Sequence, residues 1–239
     1  MCVRPGIPRP RSGGVRSPYD GPTGAIRVTI QHRAAKTRLA LIRSAAEDFA
    51  ERGYRSSTLE AITRRAGVST GALHFHFENK AALATAVQDA AQQVLARIVA
   101  DSRSGDDGAL QRLTDASQEL AARMRVDVVL RAGFRLGWED GRRDSDGLHR
   151  MWQECVTALM GAAQSEGALA ADVRAEEAVL TIVAATTGFE ALSQEDPVWI
   201  SHSTFTGFWR LLLPSLACPE ALDGLDPAGR QQTRGGTAG

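Results

Sequence analysis

The stretch Ser57-Thr58-Leu59-Glu60-Ala61-Ile62-Thr63-Arg64-Arg65-Ala66-Gly67-Val68-Ser69-Thr70-Gly71-Ala72-Leu73-His74-Phe75-His76-Phe77-Glu78-Asn79-Lys80 decides the fold. It reads as two short helices around a tight turn. Ser57 and Glu60 have capping-box spacing, at which each side chain satisfies a free backbone N–H of a starting helix. Leu59, Ile62 and Ala66 make the inner face of that helix, and Gly67 ends it because glycine enters the left-handed cap without steric cost. Val68 fills the turn, Ser69 caps a third helix running through His76, and Asn79 caps a long fourth. Two short helices joined by Ala66-Gly67-Val68-Ser69 form a helix-turn-helix. The third helix opens on Ser69, Thr70 and Gly71, whose small side chains let its end approach a DNA groove closely, as a recognition helix does.

The same periodicity extends in both directions. Ala35, Leu39, Ile42, Ala46 and Phe49 recur at helical spacing and predict a first helix over roughly 31–52, stopped by Gly53. Leu83, Val87, Val94 and Ile98 share a face of the fourth helix. Further helices are expected near 108–122, 126–139, 147–165, 173–194 and 197–213. Pro197 suits a first helical position, and Pro214 is expected to kink or end the last helix. No segment alternates with period two, so the fold class is all-α. Residues 1–26, rich in Pro and Gly, read as a disordered basic arm, and residues 219–239 as a flexible tail.

Net charge over the 239 residues is zero, but the halves differ. Residues 1–80 carry 14 Lys and Arg against 6 Asp and Glu, whereas residues 81–239 carry 14 against 22. A basic module joined to an acidic one makes the N-terminal part the candidate for a polyanionic partner. Arg33, Lys36, Arg38, Ser57, Thr58 and Lys80 are the expected phosphate contacts. Ser69, Thr70, Gly71, His74 and His76 are the expected DNA-facing residues around the third helix. His74 and His76 point about 200° apart on a helix and have no nearby Cys or acidic partner, so they do not read as a metal pair. Cys2, Cys155 and Cys218 are too few and too scattered for a disulfide framework or a metal signature. No apolar run approaches the roughly 20 residues that span a bilayer, and no secretory signal is visible. A soluble cytoplasmic protein without cofactor is the expectation.

Residues 36–83 resemble the DNA-binding domain of the TetR family of repressors throughout. The likeness runs from Thr37-Arg38 through Ile42-Arg43-Ser44-Ala45-Ala46 and Phe49-Ala50-Glu51-Arg52-Gly53-Tyr54 into the opening stretch. The family usually has Tyr at the position of His74, where it typically meets a phosphate; His donates a similar hydrogen bond. A narrower likeness follows at Arg131-Ala132-Gly133-Phe134-Arg135-Leu136, Met151-Trp152-Gln153-Glu154, Ile182-Val183-Ala184-Ala185-Thr186-Thr187-Gly188-Phe189 and Trp209-Arg210-Leu211-Leu212-Leu213-Pro214-Ser215-Leu216-Ala217. These segments resemble the γ-butyrolactone autoregulator receptors of actinobacteria, and the combined likeness covers roughly residues 31–222.

That resemblance implies a helix-turn-helix domain over 27–78 and a helical ligand-binding and dimerisation domain over 79–218. It implies a homodimer on a double-stranded DNA operator, released by a γ-butyrolactone-like, butenolide or furan effector, with control of secondary metabolism. It also places Trp152 in the ligand pocket. Leu148, Met151, Trp152, Cys155, Leu159 and Ala162 form one apolar face, on which an indole offers a flat wall and one N–H donor. Thr186 and Thr187 are polar groups in an apolar helix that serve either a ligand or their own backbone; Gln92 and Phe134 are further pocket candidates. Val179, Ile182, Val183 and Phe189 lie on one wide apolar face, and Trp199, Phe205, Phe208, Trp209 and Leu212 on another. A second subunit is expected to bury them. Three alternatives stay open, one of them a partner-binding protein that has lost DNA binding; the others are these. One is a receptor-like relative that senses an antibiotic or biosynthetic intermediate. The other is an all-helical enzyme or carrier, for which no nucleophile–base pair or carboxylate pair is visible.

Overall fold

The computed structural model describes residues 23–139 and 147–230, with side chains described over 31–138 and 147–230. Ten α-helices are found among them: α1 Thr23–Ser56, α2 Leu59–Ala66, α3 Thr70–His76, α4 Lys80–Arg103, α5 Ala109–Val126, α6 Val128–Glu139, α7 Gly147–Ser165, α8 Ala175–Leu192, α9 His202–Leu216 and α10 Pro219–Leu222. No strand occurs among the described residues, and an isolated antiparallel bridge pairs Leu169 with Ala217. The chain divides into two compact units, residues 1–37 and 38–239. The described part of the first is the N-terminal portion of α1, with Arg33 and Lys36 exposed. The expected basic arm lies mostly outside the described residues.

The second unit contains two hydrophobic cores. One is built on Leu41, Ile42, Ala45, Ala46 and Phe49 of α1, closed by Ile62, Leu73, Phe77, Leu83 and Val87. The inward stripe of α1 is rotated from the expected one. Leu41 and Ala45 face inward with Ile42, Ala46 and Phe49, while Ala35 and Leu39 are exposed, Leu39 by 66%. Rows three and four residues apart both satisfy helical periodicity, so spacing alone does not choose between them.

The turn is closed as its sequence predicts. Gly67 has φ +66, which a side chain would strain, and the Val68 N–H reaches the Thr63 carbonyl at 3.1 Å. Ser69 Oγ accepts from the Ala72 N–H at 3.2 Å, and Asn79 Oδ1 from Ala82 at 2.9 Å. The α2 cap differs: Thr58 accepts from the Ala61 N–H at 3.2 Å. Ser57 is turned inward and donates to the Gly53 carbonyl at 2.8 Å, where non-helical backbone angles break the end of α1. Two adjacent hydroxyl residues compete for the cap, and the Gly53 carbonyl left free by that break claims the first. Arg65 also ties α2 to α1, donating to both Glu51 oxygens at 2.8 and 2.6 Å and holding that carboxyl below the usual carboxylate range.

The other core draws on α4 through α9. Trp209 is fully buried there, and its indole N–H donates to Ser117 Oγ at 2.6 Å, so the burial leaves no polar atom unpaired. Helix α6 belongs to both cores. Leu130 and Phe134 pack into this one, Ala132 and Leu136 into that of the helix-turn-helix. Gly133, between them, lets α6 approach α4: a Cβ would collide with the Ala91 side chain and lie 2.9 Å from Leu148 Cδ1.

The C-terminal expectations need two corrections, at Pro197 and in the tail. Pro197 opens a short 3-10 turn, Pro197–Ile200, and Ser201 caps α9, accepting from the Thr204 N–H at 3.2 Å. Pro214 lies in the last turn of α9, which ends two residues later at Leu216. Residues 219–230 are docked rather than loose. Gln111 of α5 accepts from the Asp226 N–H at 2.8 Å and donates to the Asp226 carbonyl at 3.2 Å, and the Arg230 N–H meets Asp115 Oδ1 at 2.7 Å.

The α4–α6 contact makes a stability prediction. Gly133→Ala should destabilise the fold by about 1–3 kcal/mol through overpacking. Urea unfolding followed by circular dichroism checks it; an unchanged midpoint would mean the two helices are looser than described.

Candidate functional site

The outer side of α3 is a continuous exposed arc. Thr70, Gly71, His74 and Phe75 fall within about 140° of one another at 100° per residue, and all four are exposed. Ser69, also exposed, caps the helix at its leading end. Leu73 and Phe77 face the core on the other side. Half-buried His76 is turned away from the arc and makes an edge contact with Phe75, ring centroids 5.1 Å apart. His76 therefore lies outside the arc that His74 shares with Thr70 and Gly71. Phe75, 80% exposed, was missed; its position four residues after Gly71 was the available signal.

The phosphate candidates divide. Thr58 and Arg38 are exposed, and the Arg38 guanidinium is held 5.1 Å over the Phe77 ring. Ser57 is 2% exposed and its hydroxyl is committed to Gly53, so Ser57 is withdrawn as a side-chain contact. Lys80 is also reassigned. Its ammonium donates to the carbonyls of Tyr54 at 2.8 Å and Ser57 at 2.9 Å, and lies 4.5 Å over the Tyr54 ring. It clamps the start of α4 to the α1–α2 junction, satisfying carbonyls that the break at Gly53 leaves open.

A small cavity of about 10 Å³ is enclosed by α5, α6, α7, α8 and the 197–216 segment. Its walls are Leu120, Met124, Phe134, Trp152, Ile200 and Phe205, with Thr186, Thr187 and Glu190 as polar members. The expected residues Trp152, Phe134, Thr186 and Thr187 are thus brought together. Gln92 is not part of the lining; its amide lies against Gly147. Trp152, 2% exposed, donates its indole N–H to Thr186 Oγ1 at 2.8 Å, and Thr186 donates to the Ile182 carbonyl at 2.8 Å. The threonine therefore serves its own backbone and the tryptophan together. The cavity admits one water-sized group, far below the roughly 300 Å³ of a small ligand pocket.

Glu190 was missed in the sequence. It is a charged residue on an apolar helix, four positions beyond Thr186 and so on the same face. Its Oε2 accepts from the Trp138 indole at 2.9 Å and its Oε1 from Gln194 at 3.3 Å. A wider cleft of about 630 Å³ lies beside α5 and the 228–230 segment. It is lined by charged groups including Asp101, Asp107, Arg112 and Glu119 and lacks the aromatic wall of the small cavity. No group of three His, Cys, Asp or Glu among the described residues is placed to hold a metal ion. No described helix is long and apolar enough to cross a membrane.

A helix-turn-helix with an exposed recognition face, joined to a helical body around an aromatic cavity, defines a sensor-type DNA-binding regulator. The pattern of the bacterial regulatory proteins of the tetR family matches residues 41–87, and the chain belongs to that family. The transcriptional regulator AcuR of Cereibacter sphaeroides is 31% identical over 182 residues, covering 70% of this chain and 75% of that one. The A-factor receptor protein of Streptomyces griseus is 29% identical over 201 residues, 84% of this chain and 71% of that one. A crystal structure of a γ-butyrolactone receptor, an ArpA-like protein, superimposes with a TM-score of 0.73 at 26% identity, covering 82% of this chain and 96% of that one.

The reassignment of Lys80 is open to test. Lys80→Met should destabilise the protein by about 1 kcal/mol, because part-buried carbonyls of Tyr54 and Ser57 lose a charged donor. It should leave the dependence of DNA affinity on salt unchanged. A slope lower by about one, measured by fluorescence anisotropy, would return Lys80 to the phosphate contacts.

Proposed function

We propose that the protein is an effector-responsive, homodimeric repressor of the γ-butyrolactone receptor type, with residues 27–78 reading an operator and residues 79–218 sensing the effector. The observation that carries this reading is on α6. Phe134 is a wall of the cavity, and the next residue, Arg135, donates to the Ala50 carbonyl of α1 at 2.7 Å. Its neighbours Ala132 and Leu136 pack in the helix-turn-helix core. A lactone-sized molecule cannot enter a cavity of about 10 Å³ without displacing its walls. Displacement of Phe134 carries α6 with it, and α6 carries α1. Helix α4, which runs from the recognition module into the sensor core, moves through the same contact at Gly133. Effector and operator then favour different arrangements, and each weakens the other by the same factor.

The operator side rests on Thr58, Ser69, Thr70, Gly71, His74 and Phe75, with Arg33, Lys36 and Arg38 supplying charge. Phosphate contacts set affinity, and the α3 arc in the major groove sets sequence choice. The apolar residues expected from the sequence to be covered by a second subunit divide: Trp199 is 37% exposed and remains a candidate. Ile182, Phe205 and Trp209 are buried within the protomer. Leu180 of α8 and Leu211 of α9 are 67% and 81% exposed and are the apolar positions a second copy would cover. A two-fold pair places recognition helices about 34 Å apart on a palindromic site. Its role is regulatory rather than enzymatic, and that regulation extends to secondary metabolism.

Gel shifts on promoter DNA beside its own gene, with and without synthetic γ-butyrolactones, test binding and release together. A retarded complex that the lactone dissolves is expected; identical operator affinity across the lactone series would remove the effector class. Thr70→Ala or His74→Ala should weaken operator binding by about 1–3 kcal/mol while leaving the dimer intact. Trp152→Ala should bind operator and fail to release it. Arg135→Met should bind operator and lactone separately with little mutual effect. The reverse pattern would exchange the roles of the two modules.

A further inference from the structure

The exposed arc of α3 carries two residues that the fold does not explain. The first is Phe75. Its ring is 80% exposed, while Leu73 and Phe77 are buried. The described contact of that ring is with His76, edge-on at 84° and 5.1 Å between centroids. His76 is half-buried, so the contact steadies the ring without covering it. A phenyl left in water forfeits the free energy that burial would return. The second is Gly71, one turn earlier on the same side. Its φ is not positive, so the backbone does not require glycine there. A Cβ at this position would lie 3.9 Å from Ser69 Oγ, an ordinary contact, with no closer side chain beyond its chain neighbours among the described residues. Glycine inside a helix is less stable than alanine, so the fold alone favours a side chain at position 71. The arc thus divides into two stripes, each of residues about 40° apart: Thr70 with His74, which is polar, and Gly71 with Phe75, which is not.

We propose that the Gly71–Phe75 stripe reads the 5-methyl group of a thymine in each operator half-site, the methyl seating against the Phe75 ring beside the bare turn at Gly71. The inference rests on the reading of α3 as the recognition helix and adds what one of its stripes recognises. The base edges of the major groove offer one apolar group, the thymine methyl; the rest of each edge is a donor or an acceptor. A phenyl ring can answer neither. Set over guanine O6, adenine N6 or cytosine N4, it would take water from a polar group and return no hydrogen bond. Set over a methyl, it removes apolar surface from water on both sides at no polar cost. The bare backbone at Gly71 supplies the access, because a Cβ there would stand between the helix and the base edge. Thr70 and His74 remain for the polar contacts of the neighbouring stripe.

The test uses the full-length protein and a duplex selected by it from a pool of random sequence, with binding followed by fluorescence anisotropy at fixed salt. Each thymine of the selected half-site is replaced in turn by uracil, in both half-sites at once, which removes the methyl and leaves the hydrogen-bonding groups unchanged. At one position the wild type should lose about tenfold in affinity, as expected for two buried methyl groups. Phe75→Ala should bind the thymine duplex more weakly and treat thymine and uracil there alike, within about twofold; the ring is exposed, so its loss leaves the fold intact by circular dichroism. Gly71→Ala should melt no lower than the wild type and still bind the selected duplex at least about tenfold more weakly. Equal affinity for thymine and uracil at every position would overturn the proposal while leaving α3 as the recognition helix. So would a methyl preference undiminished in Phe75→Ala, which would assign the methyl to another residue such as Thr70. Unchanged binding by Gly71→Ala would overturn the pairing of ring and bare turn. Failure of the folded protein to select any duplex would overturn the operator reading and this proposal with it.

Discussion

One helix cannot move in one core and stay still in another. Helix α6 places Leu130 and Phe134 in the sensor core and Ala132 and Leu136 in the helix-turn-helix core, with Gly133 seated against α4 between them. Its twelve residues span about 18 Å at 1.5 Å per residue, too short to bend independently at its two faces. Close-packed interiors transmit such displacements because they have no slack to absorb them. The hydrogen bond from Arg135 to the Ala50 carbonyl adds a directional link to that packing. The sensing function depends on this shared helix more than on any property of the recognition module.

The second constraint is that the cavity is small, about 10 Å³. Trp152, Thr186 and the surrounding apolar side chains fill nearly all the space that an effector would need, and the indole N–H is already paired. Occupation must therefore replace packing contacts and one internal hydrogen bond with contacts to the effector. That exchange couples binding to conformation: a pocket already open would bind tightly and signal nothing, since equal affinity for two states shifts neither.

Much of this was legible in the sequence, for local reasons. Ser69, Asn79 and Gly67 act on backbone groups within three or four residues, so their roles follow from position alone. Trp152 was singled out by resemblance and the two threonines by their polarity in an apolar helix, and with Phe134 they line one cavity. What escaped was set by tertiary competition. Ser57 yielded the cap to Thr58 because the Gly53 carbonyl needed a donor, and Lys80 was drawn to the same break rather than to solvent. Phe205 and Trp209 looked like an interface on a helix with wide apolar faces, but α9 turns them into its own protomer and leaves Leu211 outside. Glu190 was visible as a charge on an apolar helix; its partner, the Trp138 indole of α6, emerges only in the fold.

The central claim is mechanical, that opening the cavity shifts α6 and the end of α1 together. Amide hydrogen exchange on the full-length protein, with and without a bound γ-butyrolactone, tests it most directly. Protection should change in concert over residues 130–138 of α6 and over residues 50–54, whose carbonyls and backbone α6 and α4 hold. A change over α6 with the 50–54 backbone unaltered, in protein that nonetheless releases its operator, would contradict the account.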